Sequence, residues 1–216
     1  MVKRGPRRAE SRDLRRRGPV RDPLPLILVV CEGEVTEPRY VEGFRLAHGA
    51  TTVRVHVEAP GGDPRALVEA AARIRDEAAR RARREGDQNL AYDEVWCVFD
   101  VDEHARLESA RALAGAENVE LAVSNPCFEL WLLLHLADQN AHVEVKRVST
   151  LLRKHLPRYD KHVRFQEVAS GYDDAVRRAE ALDRRHEERG TEGANPSTGI
   201  YRLTERIRKF GKNARM

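Results

Sequence analysis

From Leu24 to Cys31 every position is apolar, and the run then stops on Glu32-Gly33-Glu34. A strand with no polar position must be covered on both faces, so the pattern predicts a central strand over 25–31. A helix is predicted over 36–48, with Thr36 as N-cap and Glu37 and Pro38 in its first turn. Tyr40, Val41, Phe44, Leu46 and Ala47 form its inner side. Residues 51–58 alternate strictly, which predicts a second strand with one wetter face, nearer an edge. The loop Pro60–Pro64 ends on an N-cap with Pro at the first helical position, and the long helix it starts runs to about Arg84, closed by Glu85-Gly86-Asp87. A third strand over 92–99 runs into Asp100-Val101-Asp102-Glu103-His104. An amphipathic helix follows to about Ala114, then a fourth strand over 118–123. Ser124-Asn125-Pro126 caps a strongly apolar helix, 127–135.

Strands alternating with helices of this length predict an α/β fold, a parallel sheet of about four strands with right-handed crossovers and flanking helices. That core spans 23–137, and 138–216 forms a helical extension packing on it, with breaks near Leu156-Pro157, Ser170-Gly171 and 190–196. The stretch 190–199 reads as a loop feeding a last helix. No internal repeat is present.

Charge divides the chain. Residues 1–22, a basic and flexible arm, hold nine Lys or Arg against three acids, and 202–216 hold six against one. The middle is left with a net charge of −7 out of an overall +4. Basic ends on an acidic body suit a protein that meets a polyanion and also holds a cation. Cys31, Cys97 and Cys127 are far apart, which argues against a disulfide framework or a zinc ribbon and for small buried hydrophobes. With no signal-peptide core and no stretch long enough to span a bilayer, a cytoplasmic protein without membrane association is expected.

The chemistry gathers at the strand ends. Asp100 and Asp102, two apart in extended chain, point the same way, and a parallel sheet brings Glu32 to the same rim. Three converging carboxylates repel one another and form a hard-oxygen site for Mg²⁺ or Mn²⁺. Such a cation polarises a phosphodiester, with Glu32 as ligand or general acid/base. Glu129, in the apolar helix, needs a partner or a metal if buried, either at the site or as the mate of a structural Arg. The first turn of that helix also offers N–H groups where a phosphate could rest. Glu34 is a candidate further ligand, and Glu37 reads as a structural helix-start acid. His104 and His135 lack zinc spacing and read as solvated or capping residues.

On these residues the chain resembles the RloB-like family over about residues 24–208. The marks are Glu32-Gly33-Glu34 with Thr36-Glu37-Pro38 and Tyr40, then Phe99-Asp100 with Asp102, then Ser124 to His135, in which Asn125 to Trp131 is the most specific run. Tyr159, Lys161 and Asn195-Pro196-Ser197-Thr198 look like further marks. The resemblance implies a Toprim-like, Rossmann-like core, a Mg²⁺ site of Glu32, Asp100 and Asp102, and a setting in bacterial defence and restriction-modification loci beside an ABC/SMC-like ATPase. It makes RNA, tRNA included, a candidate substrate alongside DNA. Asn125, Glu129 and Lys161 are carried as candidates for support of the metal site or contact with substrate.

A metal-dependent nuclease acting in phage defence, by way of abortive infection, is therefore the expected function. A non-catalytic module that binds nucleic acid or docks the ATPase is the alternative. A phosphatase of the haloacid-dehalogenase kind shares Asp-x-Asp at a strand end, but here the motif follows the third strand, and Glu103-His104 stand where Thr or Val would be expected. No Gly-x-x-x-x-Gly-Lys-Ser/Thr loop occurs, so any ATP-driven step belongs to a partner.

Overall fold

Strand β1 (Ile27–Cys31) is buried at every position. Its odd-numbered side chains Ile27, Val29 and Cys31 join one hydrophobic cluster, and Leu28 and Val30 join another on the opposite face. In the computed structural model, which describes residues 24–57, 63–101 and 107–211, β1 pairs in parallel with β2 (Val53–Val57) on one side and β3 (Glu94–Asp100) on the other. The arm expected over 1–22 lies outside the described residues, as do Asp102, His104 and the tip of the loop before Asp63. Strand β4 (Glu120–Asn125) lies parallel to β3, and a two-residue β5 (Ser197–Thr198) closes the far edge antiparallel to β4. The order is β2-β1-β3-β4-β5. The alternating strand sits at the edge, as its pattern requires. The sheet has one strand more than the four expected, because two polar residues in a Gly/Asn/Pro loop carry no periodic signal.

Helix α1 (Thr36–Ala47) packs Tyr40, Val41 and Phe44 on one face of the sheet, while α2 (Pro64–Glu85) packs Leu67, Val68 and Ala71 on the other, where α3 (Leu107–Glu117) joins it. The chain leaves β1 in one direction and returns past it to reach β3. Right-handed crossovers then place α1 and α2 on opposite faces and open a crevice between the carboxyl ends of β1 and β3. Asp63 caps α2 by accepting from Arg65 N at 3.1 Å, with Pro64 in the first turn, and Gly86 ends it at φ +68°. Leu46, expected on the inner side of α1, is 61% exposed.

Beyond β4 come α4 (Glu129–Leu134), α5 (Val145–His155), α6 (Phe165–Val168), α7 (Tyr172–Glu187) and α8 (Ile200–Phe210). They share one cluster with α1, so residues from both parts of the chain fill a single layer. Tyr40, Trp131, Phe165, Phe44 and Tyr172 meet there with neighbouring ring centroids 4.9–6.3 Å apart. His135 is buried among them rather than solvated. Its Nδ1 lies 3.0 Å from Val168 O, which can only accept, so Nδ1 carries the proton and Nε2 accepts from the Tyr40 hydroxyl at 3.1 Å. Burial pushes its pKa down to about 4. Asn195 works as a side-chain bridge, donating to Val143 O at 2.8 Å and accepting from Val143 N at 3.0 Å. All three cysteines are free and buried, and among the described residues no helix is long and apolar enough to cross a membrane.

The helix expected over 127–135 is shorter than its apolar run. Ser124 and Asn125 do not cap it. They belong to β4, drawn into the ladder by pairing with Thr198 and Ser197, and the Ser124 and Thr198 hydroxyls lie 3.0 Å apart. What remains as α4 is six residues preceded by Phe128, too short to present the phosphate seat expected of its first turn.

Candidate functional site

The sheet fixes the backbones of Glu32 and Asp100 before any side chain acts. Glu32 N donates to Val98 O at 3.0 Å, extending the β1–β3 ladder one residue past Cys31. Val101 N donates to Ser124 O at 2.8 Å and extends β3–β4 in the same way. Cys31 is level with Val98, so Glu32 stands level with Phe99, one position before Asp100, on a strand about 4.8 Å away. Asp100 continues the parity of Trp96 and Val98, which face α1 and α4, whereas Glu32 continues that of Leu28 and Val30, on the α2 face, so the two share the rim and not a face of the sheet. Asp102, the third expected ligand, lies outside the described residues.

Two further acids converge from the helices on the Asp100 face. Thr36 is not the N-cap of α1. Val35 holds that place, and the Thr36 hydroxyl donates to Lys161 O at 3.1 Å. This turns Glu37 inward, where it is 9% exposed. Burial raises its pKa above the usual carboxyl value, its own backbone opposes that, the Glu129 and Glu32 carboxylates add to it, and the Lys161 ammonium pulls it back. Expected to be a helix-start acid of structural use only, Glu37 is instead electrostatically joined to three residues of the strand-end group. The signal that could have found it is Gly33. A Cβ there would stand 2.1 Å from Glu37 Oε2, so only glycine leaves room for the folded-back carboxylate.

Glu129 is half-buried at the start of α4 and accepts from the Tyr159 hydroxyl at 2.8 Å. Its partner is thus a phenol from the loop after α5. Burial, followed by the Glu129 charge and this bond, pushes the Tyr159 phenol well above its ordinary pKa, so it stays a donor. Cys127, 4% exposed, sits between the two sets. Burial raises its thiol pKa first, and the charges of Glu129 and Asp100 raise it further, which keeps it neutral. Lys161 is exposed on the same loop at φ +72°, a conformation that side chains other than glycine adopt rarely and that marks a constrained position. Asn125 spends its amide on Gly193 O at 2.9 Å and so ties β4 to the loop before β5. Glu34 is exposed in the bend after β1.

The structure therefore brings Glu32, Asp100, Glu129 and Lys161 of the expected set to one rim, adds Glu37, Cys127 and Tyr159, and gives Asn125 a local bond. Among the described residues no three His, Cys, Asp or Glu side chains are arranged to hold a metal ion.

A mostly parallel sheet with helices on both faces and a crevice at the switch point defines a doubly wound α/β protein. The chain matches the description "RloB-like protein" over residues 27–207 and belongs to that family. No curated protein and no solved structure matches it.

Proposed function

We propose that this chain is a divalent-metal-dependent nuclease with a Toprim-like site. It cuts phosphodiester bonds of RNA, tRNA included, or of DNA, and acts in the cytoplasm as a phage-defence effector with a partner ABC/SMC-like ATPase. The observation that carries this reading is the placing of Glu32 and Asp100 on adjacent ladder ends at the switch point, with Glu37 and Glu129 beside them. The donor set fits Mg²⁺ or Mn²⁺, since every charged oxygen is a carboxylate. Burial raises the Glu37 pKa most, the Glu129 and Glu32 carboxylates add to it, and a cation would offset that added repulsion.

Glu32 and Asp100, with Asp102 in the segment that follows, would hold the ion. When bound, it would polarise the phosphoryl oxygen and stabilise the leaving oxygen. The protein's own part is positional. Strand ladders fix Glu32 and Asp100, Tyr159 fixes Glu129, and the neutral Cys127 keeps water out beneath them. Lys161 supplies the one positive charge that tempers Glu37, and its exposure leaves the ammonium within reach of an incoming phosphate.

Expression in a bacterial host, with and without the neighbouring ATPase, followed by sequencing of new RNA and DNA ends, tests this reading. Ends made by the wild type and absent with Asp100→Asn support it. Identical end maps for the two proteins overturn it.

The alternative, a non-catalytic nucleic-acid-binding or ATPase-docking module, draws on the basic residues at the two ends of the chain. It predicts binding that ignores EDTA and survives Glu32→Gln.

A further inference from the structure

Helix α5 and the segment joining it to α6 carry charge that, Lys161 apart, the strand-end site does not use. Between Lys146 and Arg164 stand seven Lys or Arg side chains against one acid, Asp160. All seven are exposed, and among the described residues none of them pairs with a carboxylate. Asp160 itself lies against His162, with Nδ1 and Oδ1 3.3 Å apart. Elsewhere the arginines behave differently. On α2 and α7 they meet acids one turn away, as in Arg65 with Glu69, Arg81 with Glu85 and Arg177 with Asp174. A helix face that only needs solvation interleaves its signs in that manner. An unopposed strip repels itself and is stabilised when an anion lies along it.

The strip also has a shape. Its C-terminal half encloses a cavity of about 450 Å³, within the usual range of about 300–1,000 Å³ for small-ligand sites. Arg158, Arg164, His155 and His162 share its polar wall with Asp160 and Glu167, whose carboxylates already accept from the backbone N–H of His162 and Arg164, and Leu156, Pro157 and Val163 supply its apolar one. Tyr159 lies at the cavity's inner side, buried, and its hydroxyl reaches Glu129. The same loop carries Lys161, pinned at φ +72° with its carbonyl bonded to Thr36 at the start of α1. One side chain thus stands between the acidic rim and a partly apolar cavity with two arginines in its wall, set at the end of the basic strip.

We infer that this cavity and its basic strip seat a nucleotide that flanks the cleaved phosphate of a single-stranded polynucleotide. Arg158 and Arg164 hold the phosphate, and Leu156 and Pro157 face the base. The inference rests on the nuclease reading for its position relative to the cut, but the binding itself does not require cleavage.

The test uses full-length Asp100→Asn protein, so that no strand is cut, and a fluorescent oligonucleotide of about 12 residues as RNA and as DNA of the same sequence. Anisotropy is followed between about 50 and 200 mM salt. Replacing Arg158 and Arg164 together by Gln should weaken binding at least about tenfold and flatten the log K against log salt slope by about 1.4, the value for two lost single-strand contacts. Replacing Arg80 and Arg83, both exposed at the far end of α2, should change neither. Whichever oligonucleotide shows the larger Arg158/Arg164 effect is the strand the cavity takes. Unchanged affinity and slope in the Arg158→Gln, Arg164→Gln protein, an equal loss in the α2 pair, or no binding of either oligonucleotide overturns the inference. If the Arg158→Gln, Arg164→Gln protein with Asp100 intact cuts normally, the cavity assignment fails and the nuclease reading survives. A strand held through those arginines but never cut leaves the cavity assignment standing and removes the nuclease reading.

Discussion

The Tyr159 hydroxyl donates to Glu129 Oε1 at 2.8 Å, and through this bond a loop beyond α5 fixes a carboxylate at the start of α4. The two residues are 30 apart in sequence and belong to different layers of charge, one on the basic loop and one on the acidic rim. Tyr159→Phe keeps the buried ring and removes the donor. A hydrogen bond to a carboxylate contributes about 1.5 kcal/mol or more, so the urea midpoint should fall by that equivalent. Residues that orient ligating groups typically change metal affinity or activity by about 10–100-fold when removed, and cleavage should drop within that range. A full-rate Tyr159→Phe protein would show that Glu129 takes no part.

Gly33 and Glu37 give a second prediction. Gly33→Ala asks nothing strained of the backbone, but its Cβ would occupy the place of the Glu37 carboxylate. The carboxylate is the free end of a flexible side chain, so it moves and the fold stays. Thermal stability should change little while divalent-ion binding weakens. Equal Mn²⁺ affinity in the two proteins would remove Glu37 from the site.

Gly171 makes the contrasting case. A Cβ there would lie 2.0 Å from the backbone oxygen of His135, which cannot swing away. Gly171→Ala should cost about 1–3 kcal/mol by denaturant titration, with α7 pushed off α4. Unaltered stability would contradict the close approach of these two segments.

Stability should also depend on pH in two opposite ways. His135 titrates near 6.5 when unfolded and about 4 when folded, because burial disfavours the imidazolium. The unfolded chain takes up the proton first on acidification, so the His135 contribution is complete above 6.5 and is lost as pH falls toward 4, a loss of about 3 kcal/mol. Glu37 has its pKa raised above 4.5, chiefly by burial, so its contribution is present below 4.5 and is lost as pH rises through the folded value. Urea midpoints of wild type, His135→Gln and Glu37→Gln across that range check both signs. Glu37→Gln should gain on wild type as pH rises, and Mg²⁺ should close that gap. Parallel profiles for all three proteins would contradict both assignments.

The strands that build the rim are legible in the sequence because their patterns are unambiguous. An apolar run ending at Cys31 can only be central, and an alternating 53–57 can only be near an edge. Parallel pairing then brings Glu32 level with the end of β3 without further information. What the sequence hides lies in contacts between remote segments. Ser197 and Thr198 become a strand only because Ser124 and Asn125 offer them an edge, and that pairing shortens α4. His135 reads as a surface or capping residue because nothing local announces the Val168 carbonyl and the Tyr40 hydroxyl that satisfy its two nitrogens. Glu37 reads as an ordinary first-turn acid until the space left by Gly33 is taken into account. The basic strip of 146–164 is visible in the sequence as charge but not as a cavity wall, because Tyr159 links it to Glu129 across 30 residues.

Above all, acids from separate strands must hold one divalent ion. Calorimetric titration of Mn²⁺ into the wild type, Glu32→Gln and Asp100→Asn, each shown to be folded by circular dichroism, measures this. One saturable site in the wild type and its loss in both variants are expected. Equal binding in all three proteins, or none in the folded wild type, would contradict the proposed metal site.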